Sequence, residues 1–187
     1  MNETNCYLAL VHHPIRNKNG EKVTTSVTNL DIHDIARSCR TYGIKTYYIV
    51  TPLKAQHELV ERILDHWKRD NASAYNPDRQ DALSFIKIKN SVEEVQEDIS
   101  SMHGENAELI VTGANFAEYQ GDTEDLKGHF EGTKKPQLVI FGTGWGLHED
   151  VLEMADYKLK PLSSGGNYNH LSVRSAVAIY LDRLFGI

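Results

Sequence analysis

Gln137-Leu-Val-Ile-Phe-Gly-Thr-Gly-Trp-Gly-Leu147 joins a continuous apolar run to a turn in which every second residue is glycine. Leu138 to Phe141 is apolar throughout and carries β-branched members, the pattern of a strand covered on both faces, as in a parallel sheet. Gly142, Gly144 and Gly146 then alternate with Thr143, Trp145 and Leu147. Glycine allows the backbone to take positive φ and to approach a ligand closely, while the intervening N–H groups can bond it. A turn of this kind at the carboxyl end of a parallel strand is where open α/β sheets hold nucleotide-like ligands. Glycine-rich turns also close strands that bind nothing, so both readings stand on this stretch alone. Neither phosphate fingerprint is present: no G-x-x-G continues the first G-x-G, and no Gly-Lys-Ser/Thr follows.

Working outward, strand-like and helix-like segments alternate. Tyr7 to Val11 and Thr46 to Val50 are apolar or β-branched runs, and Phe85-Ile-Lys-Ile88 and Leu109-Ile-Val-Thr-Gly113 add two more strands. Ile32, Ile35, Ala36 and Cys39 keep helical spacing, with Gly43 as the residue that ends the helix. Pro52 leads into a helix through Leu59, Ile63 and Trp67, and Ser91-Val-Glu-Glu94 is a capping box for a helix running toward His103. Asp70 to Asp81 reads as loop. Asn115 to Lys135 reads as surface connection with a short helix before the strand at Leu138. After the glycine turn, His148 to Ala155 offers one or two helical turns, and Tyr157-Lys-Leu-Lys160 is a short strand. A loop from Pro161 to His170 then precedes an amphipathic helix from Ser172 to Phe185. This alternation predicts a parallel α/β sheet flanked by helices.

At 187 residues the chain suits one domain, 1–187, with room for a core of normal size. No apolar run approaches the roughly 20 residues of a transmembrane helix. The start lacks the basic-then-apolar character of a signal peptide, so a cytoplasmic protein is expected. Cys6 and Cys39 are too few for a disulfide framework and lack metal-ligand spacing, and both read as reduced core thiols. A net charge of −6 argues against non-specific sheathing of nucleic acid. A local basic patch stays open, from His12, His13, Arg16, Lys18 and Lys22 near the start and Arg37, Arg40, Arg174 and Arg183 on helices.

Three glycine-bearing segments follow strands late in the chain: Thr112 to Ala114, Phe141 to Leu147 and Pro161 to Leu171. Side by side at the carboxyl edge of the sheet they would form one crevice. Without a lysine in the turn or a carboxylate cluster in the loops, a magnesium-bound triphosphate is poorly served. An adenosine-type ligand held by backbone groups fits better.

Asp31-Ile-His-Asp-Ile-Ala-Arg-Ser-Cys-Arg-Thr-Tyr-Gly43, Phe141-Gly-Thr-Gly-Trp-Gly-Leu147 and Tyr168-Asn-His-Leu-Ser-Val-Arg-Ser-Ala176 resemble, in order, the three motifs of SPOUT RNA methyltransferases. From about Tyr7 to the C-terminus the chain is similar to stand-alone bacterial members that act as SAM-dependent RNA methyltransferases on tRNA or rRNA. The resemblance implies a parallel sheet whose C-terminal segment passes through a preceding loop as a deep trefoil knot. It also implies a homodimer, with S-adenosyl-L-methionine (SAM) held against backbone groups. By position, the cofactor contacts would be Thr112, Gly113, Ala114, Phe141, Gly142, Thr143, Gly144, Trp145, Gly146, Leu147, Pro161, Leu162, Asn169, His170, Leu171 and Ser172.

For catalysis, Arg37 matches the arginine that assists deprotonation in ribose-methylating members, and His170, in the loop next to the expected methyl group, and Arg174 are further candidates. Asp31 and His170 replace asparagines of those members, which leaves ribose 2′-O and base-nitrogen methylation equally open. His33 and Asp34 serve either as proton acceptors or as polar contacts at a helix start. Arg174 serves RNA or a dimer salt bridge, and Trp145 either plugs the core over the turn or covers the adenine. A non-catalytic SPOUT-like module that binds SAM or RNA is the alternative function.

Overall fold

The computed structural model describes residues 5–68 and 76–187. Along the chain run β1 (Cys6–Val11), β2 (Ile15–Arg16), β3 (Lys22–Val23), α1 (Asn29–Thr41), β4 (Tyr47–Val50), α2 (Lys54–Lys68), α3 (Pro77–Leu83) and β5 (Ile86–Lys89). They are followed by α4 (Val92–His103), β6 (Glu108–Val111), α5 (Thr123–Gly132), β7 (Gln137–Gly142), α6 (Glu149–Glu153), β8 (Tyr157–Lys158) and α7 (Val173–Phe185). Six strands form one sheet in the order β5-β4-β1-β7-β6-β8, with every pairing parallel. The expected parallel α/β sheet flanked by helices is therefore present. β2 and β3 form a separate antiparallel hairpin that turns at Asn19-Gly20.

The central strands explain the uninterrupted apolar runs. All six residues of β1 are buried, and in β7 every residue but the last. Successive side chains of a strand point to opposite faces, so each run feeds two cores. Leu8, Leu10, Val139 and Phe141 face Ile32, Ile35 and Cys39 of α1 and Val177, Tyr180 and Leu181 of α7. Tyr7, Ala9, Leu138 and Ile140 face Val92, Val95 and Ile99 of α4 and Val151 of α6. A strand with one polar face could not sit between both layers, since burying each large apolar side chain contributes about 1.5–3 kcal/mol.

The helix ends follow local chemistry. Thr28 caps α1 by accepting from the Asp31 amide, and Gly43 turns the chain away at φ 74°. Ser91 caps α4 by accepting from the Glu94 amide. The Glu94 carboxylate reaches one residue further back than a capping box requires, accepting from the Asn90 amide at 2.9 Å. The loop expected over Asp70 to Asp81 is corrected in its second half, where Asn76 caps α3 with Pro77 in the first turn; residues 70–75 lie outside the described residues. Between Asn115 and Lys135 the helix is a full ten residues, started by an Asp122/Asp125 capping box.

On the face of the sheet covered by α4, Asp98 of that helix accepts from the Tyr48 hydroxyl at 2.7 Å and from Lys87 and Lys89. Burial alone would raise this carboxyl. The hydrogen bonds from Lys87, Tyr48 and Lys89 outweigh it and bring the carboxyl down to about 2. Among the described residues no helix is long and apolar enough to cross a membrane.

Candidate functional site

The carboxyl ends of β7 and β6 open into a cavity of about 600 Å³, within the range of small-molecule sites. Its glycine wall needs glycine at successive positions for different reasons. Gly144 and Gly146 take φ of 57° and 103°, in the region that favours glycine. Gly142 does not, but a Cβ there would stand 2.8 Å from the Leu147 amide nitrogen. The turn is closed by the Gly146 amide donating to the Thr143 carbonyl at 3.0 Å.

The β2–β3 hairpin holds this turn from outside. The Arg16 amide donates to the Gly146 carbonyl at 2.9 Å and the His148 amide to the Pro14 carbonyl at 3.2 Å, which sets Ile15 opposite Leu147. Ion pairs from Arg16 to Glu149 and from Lys22 to Asp150 tie the hairpin to α6. Arg40 likewise pairs with Asp81. Three members of the possible basic patch are thus neutralised within the chain.

A buried polar chain reaches the turn from β1. His12, at the end of that strand, is fully buried, and its Nδ1 lies 3.0 Å from the Thr25 hydroxyl. Thr25 in turn meets the Thr143 hydroxyl, which donates to the Val11 carbonyl at 3.1 Å. Burial holds the His12 imidazole down to about 4, against a modest upward pull from Asp31. A histidine whose folded pKa is depressed contributes stability that is full above its unfolded pKa near 6.5 and lost as the pH falls toward 4. Denaturant unfolding between pH 7 and pH 4 should therefore show a loss on the order of 2–3 kcal/mol beyond that of His12→Gln. Identical slopes for both proteins would refute the assignment of this acid sensitivity to His12.

The remaining walls come from far along the chain. Thr112, Gly113 and Ala114 lie beside the glycine turn, the Thr112 hydroxyl donating to the Ile140 carbonyl at 3.0 Å. Leu162, 169–172, Val173, Arg174 and Tyr180 complete the lining. Asn169 closes the ring by donating from Nδ2 to the Ala114 carbonyl at 3.1 Å. Ser172 caps α7 by accepting from the Ser175 amide.

Arg174, in the first turn of α7, donates to Asp31 at 3.2 Å and lies 3.6 Å from Asp34. The buried Asp31 carboxylate also accepts from the Thr28 hydroxyl at 2.6 Å. The salt bridge of Arg174 is thus made within one chain, joining the first and third sequence motifs.

All the expected cofactor residues line this one cavity except Pro161. Of the expected catalytic residues, His170 and Arg174 line it. Arg37 is exposed on α1 and does not, because its helical position points away from the Asp31 side of that helix. His33 is also outside the lining, with its ring edge-on to Trp67 at 5.9 Å. Trp145 is 66% exposed, which corrects its reading as a core plug.

Thr25, Ser26, Thr28, Asn115 and Phe116 are lining residues the sequence did not offer. The threonine-rich run before α1 reads locally as helix lead-in, and only packing against a turn more than a hundred residues away gives it a place here. The walls combine apolar side chains such as Phe141, Leu147 and Leu162 with close-approach glycines, and Arg16 and Arg174 are each paired with carboxylates. That set fits SAM better than a polyphosphate.

A family described as SAM-dependent RNA methyltransferase matches residues 5–186. A tRNA (guanine-N(1)-)-methyltransferase of Oleidesulfovibrio alaskensis is 44% identical over 184 residues, covering 97% of this chain and 42% of that protein. This chain therefore spans less than half the length of that relative. A protein of Aquifex aeolicus is 38% identical over 181 residues, covering 97% of this chain and 88% of the other. Among solved structures, the SpoU methyltransferase AviRb from Streptomyces viridochromogenes, in complex with the cofactor AdoMet, superposes with a TM-score of 0.60. It is 16% identical and covers 99% of this chain and 58% of that one.

Proposed function

Because the chain belongs to the SAM-dependent RNA methyltransferase family, we propose that its cavity holds SAM and that the protein methylates a structured RNA, tRNA or rRNA. The observation that carries this reading is the convergence of 112–114, 141–147 and 169–172 on one cavity, latched by Asn169 on Ala114. When bound, SAM supplies an electrophilic methyl group on sulfonium.

The chain's own residues do the rest by holding and orienting. Backbone along the glycine turn and at 112–114 would hold the adenosine. Phe141, Leu147 and Leu162 exclude water from the floor. His170 and Arg174 stand at the mouth, where the acceptor must arrive, and Asp31 with Asp34 sets the direction of the guanidinium. Arg37 takes part only if a second copy carries it to this mouth, and a homodimer is part of the reading. The return of the chain from β8 to α7, with Asn169 bonded to the Ala114 carbonyl, is consistent with the trefoil knot that belongs to this reading.

The guanine-N1 name of the Oleidesulfovibrio relative attaches to a protein more than half of which lies outside the match. The acceptor here is therefore a ribose 2′-hydroxyl or a base nitrogen. Titration calorimetry with SAM tests the core of the proposal: one site per chain with micromolar affinity is expected, and silence at high micromolar SAM would sink it. The placement of Arg37 outside the cavity favours one second reading, a module that binds SAM and RNA without transfer. Incorporation of label from methyl-labelled SAM into bulk RNA separates the two.

A further inference from the structure

The segment between Leu162 and Leu171 has two sides. One closes the large cavity, and the other lines a second cavity of about 240 Å³. Leu162, Asn169, His170 and Leu171 border both, so the two chambers are separated by a single thickness of chain. The walls that belong to the second alone are the hydroxyls of Ser163 and Ser164, the Tyr168 ring, and Ile179 and Arg183 of α7. No carboxylate lines it. Arg183 makes no ion pair among the described residues, whereas its neighbour Asp182 accepts from the Tyr42 hydroxyl at 2.9 Å. The Tyr168 ring is 77% exposed and meets the His170 ring edge-on at 5.2 Å.

We propose that this second cavity receives an unstacked nucleotide of the RNA substrate, with Tyr168 under the base and Arg183 on the adjoining phosphate. The proposal rests on reading the large cavity as the cofactor site. Proteins recognise unpaired RNA bases by stacking them on aromatic rings, and an unpaired guanidinium suits a phosphate. In a chain of net charge −6, an uncompensated cation beside an exposed ring and free of carboxylates is a local match for polyanion. Its position across one loop from the cofactor chamber places the bound nucleotide within reach of the shared residues Asn169 and His170.

The test compares wild type, Tyr168→Ala, Tyr168→Phe and Arg183→Ala for binding total tRNA and a short unstructured oligoribonucleotide, by fluorescence anisotropy across a salt series. SAM affinity is measured in parallel by calorimetry. Tyr168→Ala should weaken RNA binding about ten-fold, with recovery in Tyr168→Phe. Arg183→Ala should weaken it and lower the salt slope by about one. SAM affinity should stay within about two-fold in every variant, since neither side chain lines the cofactor cavity. RNA affinity and salt slope unchanged in both alanine variants would overturn the proposal, as would wild type that binds SAM but no RNA. Loss of a dimer on sedimentation of Arg183→Ala would also overturn it, making the cavity an interface between copies. Failure of wild type to bind SAM would instead remove the cofactor reading on which the proposal stands.

Discussion

Gly142→Ala should abolish measurable SAM binding while leaving a folded protein. The new methyl group would lie 2.8 Å from the Leu147 amide nitrogen and about as close to its side chain, 3.0 Å from Cγ. Leu147 has nowhere to go: it is buried at 2% exposure and lies opposite Ile15, with the flanking Gly146 carbonyl and His148 amide bonded to the hairpin. Relief must come from moving the turn, which forms the wall of the cavity. Overpacking of this kind costs about 1–3 kcal/mol of stability. A shift of the turn by a fraction of an ångström should cost roughly 100-fold or more in SAM affinity, near 2.8 kcal/mol. Thermal melting and calorimetry read the two effects separately. An alanine variant that binds SAM as wild type does would mean that this turn is not the cofactor wall.

Arg174→Ala should reduce methyl transfer about 100-fold and change SAM affinity by less than about three-fold. It leaves Asp31 buried at 6% exposure with the Thr28 hydroxyl as its remaining hydrogen-bond donor. Removing one partner of such a pair is destabilising; with the Arg174 side chain 35% exposed, we expect about 1–3 kcal/mol rather than the full cost of a buried pair. The double variant Asp31→Asn/Arg174→Ala separates stability from function. Asparagine removes the uncompensated charge, so the double variant should regain roughly 1 kcal/mol over Arg174→Ala and none of the transfer. Recovery of transfer together with stability would show that Arg174 acts only as a structural tie.

Much of the architecture was legible because local patterns carried it. The unbroken run Leu138 to Phe141 required cover on both faces, and the sheet supplies it. Ile32, Ile35 and Cys39 kept helical spacing because one stripe of α1 meets the core. Where local signals were weak the reading fell short. Ile15–Arg16 and Lys22–Val23 are too short to show a period, and they are strands because they pair with each other in a hairpin that docks on the glycine turn. α3 was hidden in a polar stretch whose Asn76-Pro77 start resembles a turn as much as a cap.

The candidate site divides along the same line. The three glycine-bearing segments could be named from sequence because close backbone approach leaves a compositional trace. Thr25 and Ser26 left none, and His12 showed only as a possible member of a basic patch that its burial rules out, since a buried imidazole and an ordinary threonine gain their significance from what lies across the fold. Arg37 shows the converse: a motif position marked it, yet in one chain the helix turns it to solvent.

By itself, then, the sequence determined a parallel sheet with glycine turns at its carboxyl edge, because strand burial and backbone freedom are properties of short stretches. Only the tertiary structure decided which of those turns share a cavity, that Asp31 and Arg174 meet across 143 positions, and that one loop divides two chambers. Such contacts depend on where the chain returns in space, and no local run of residues encodes that.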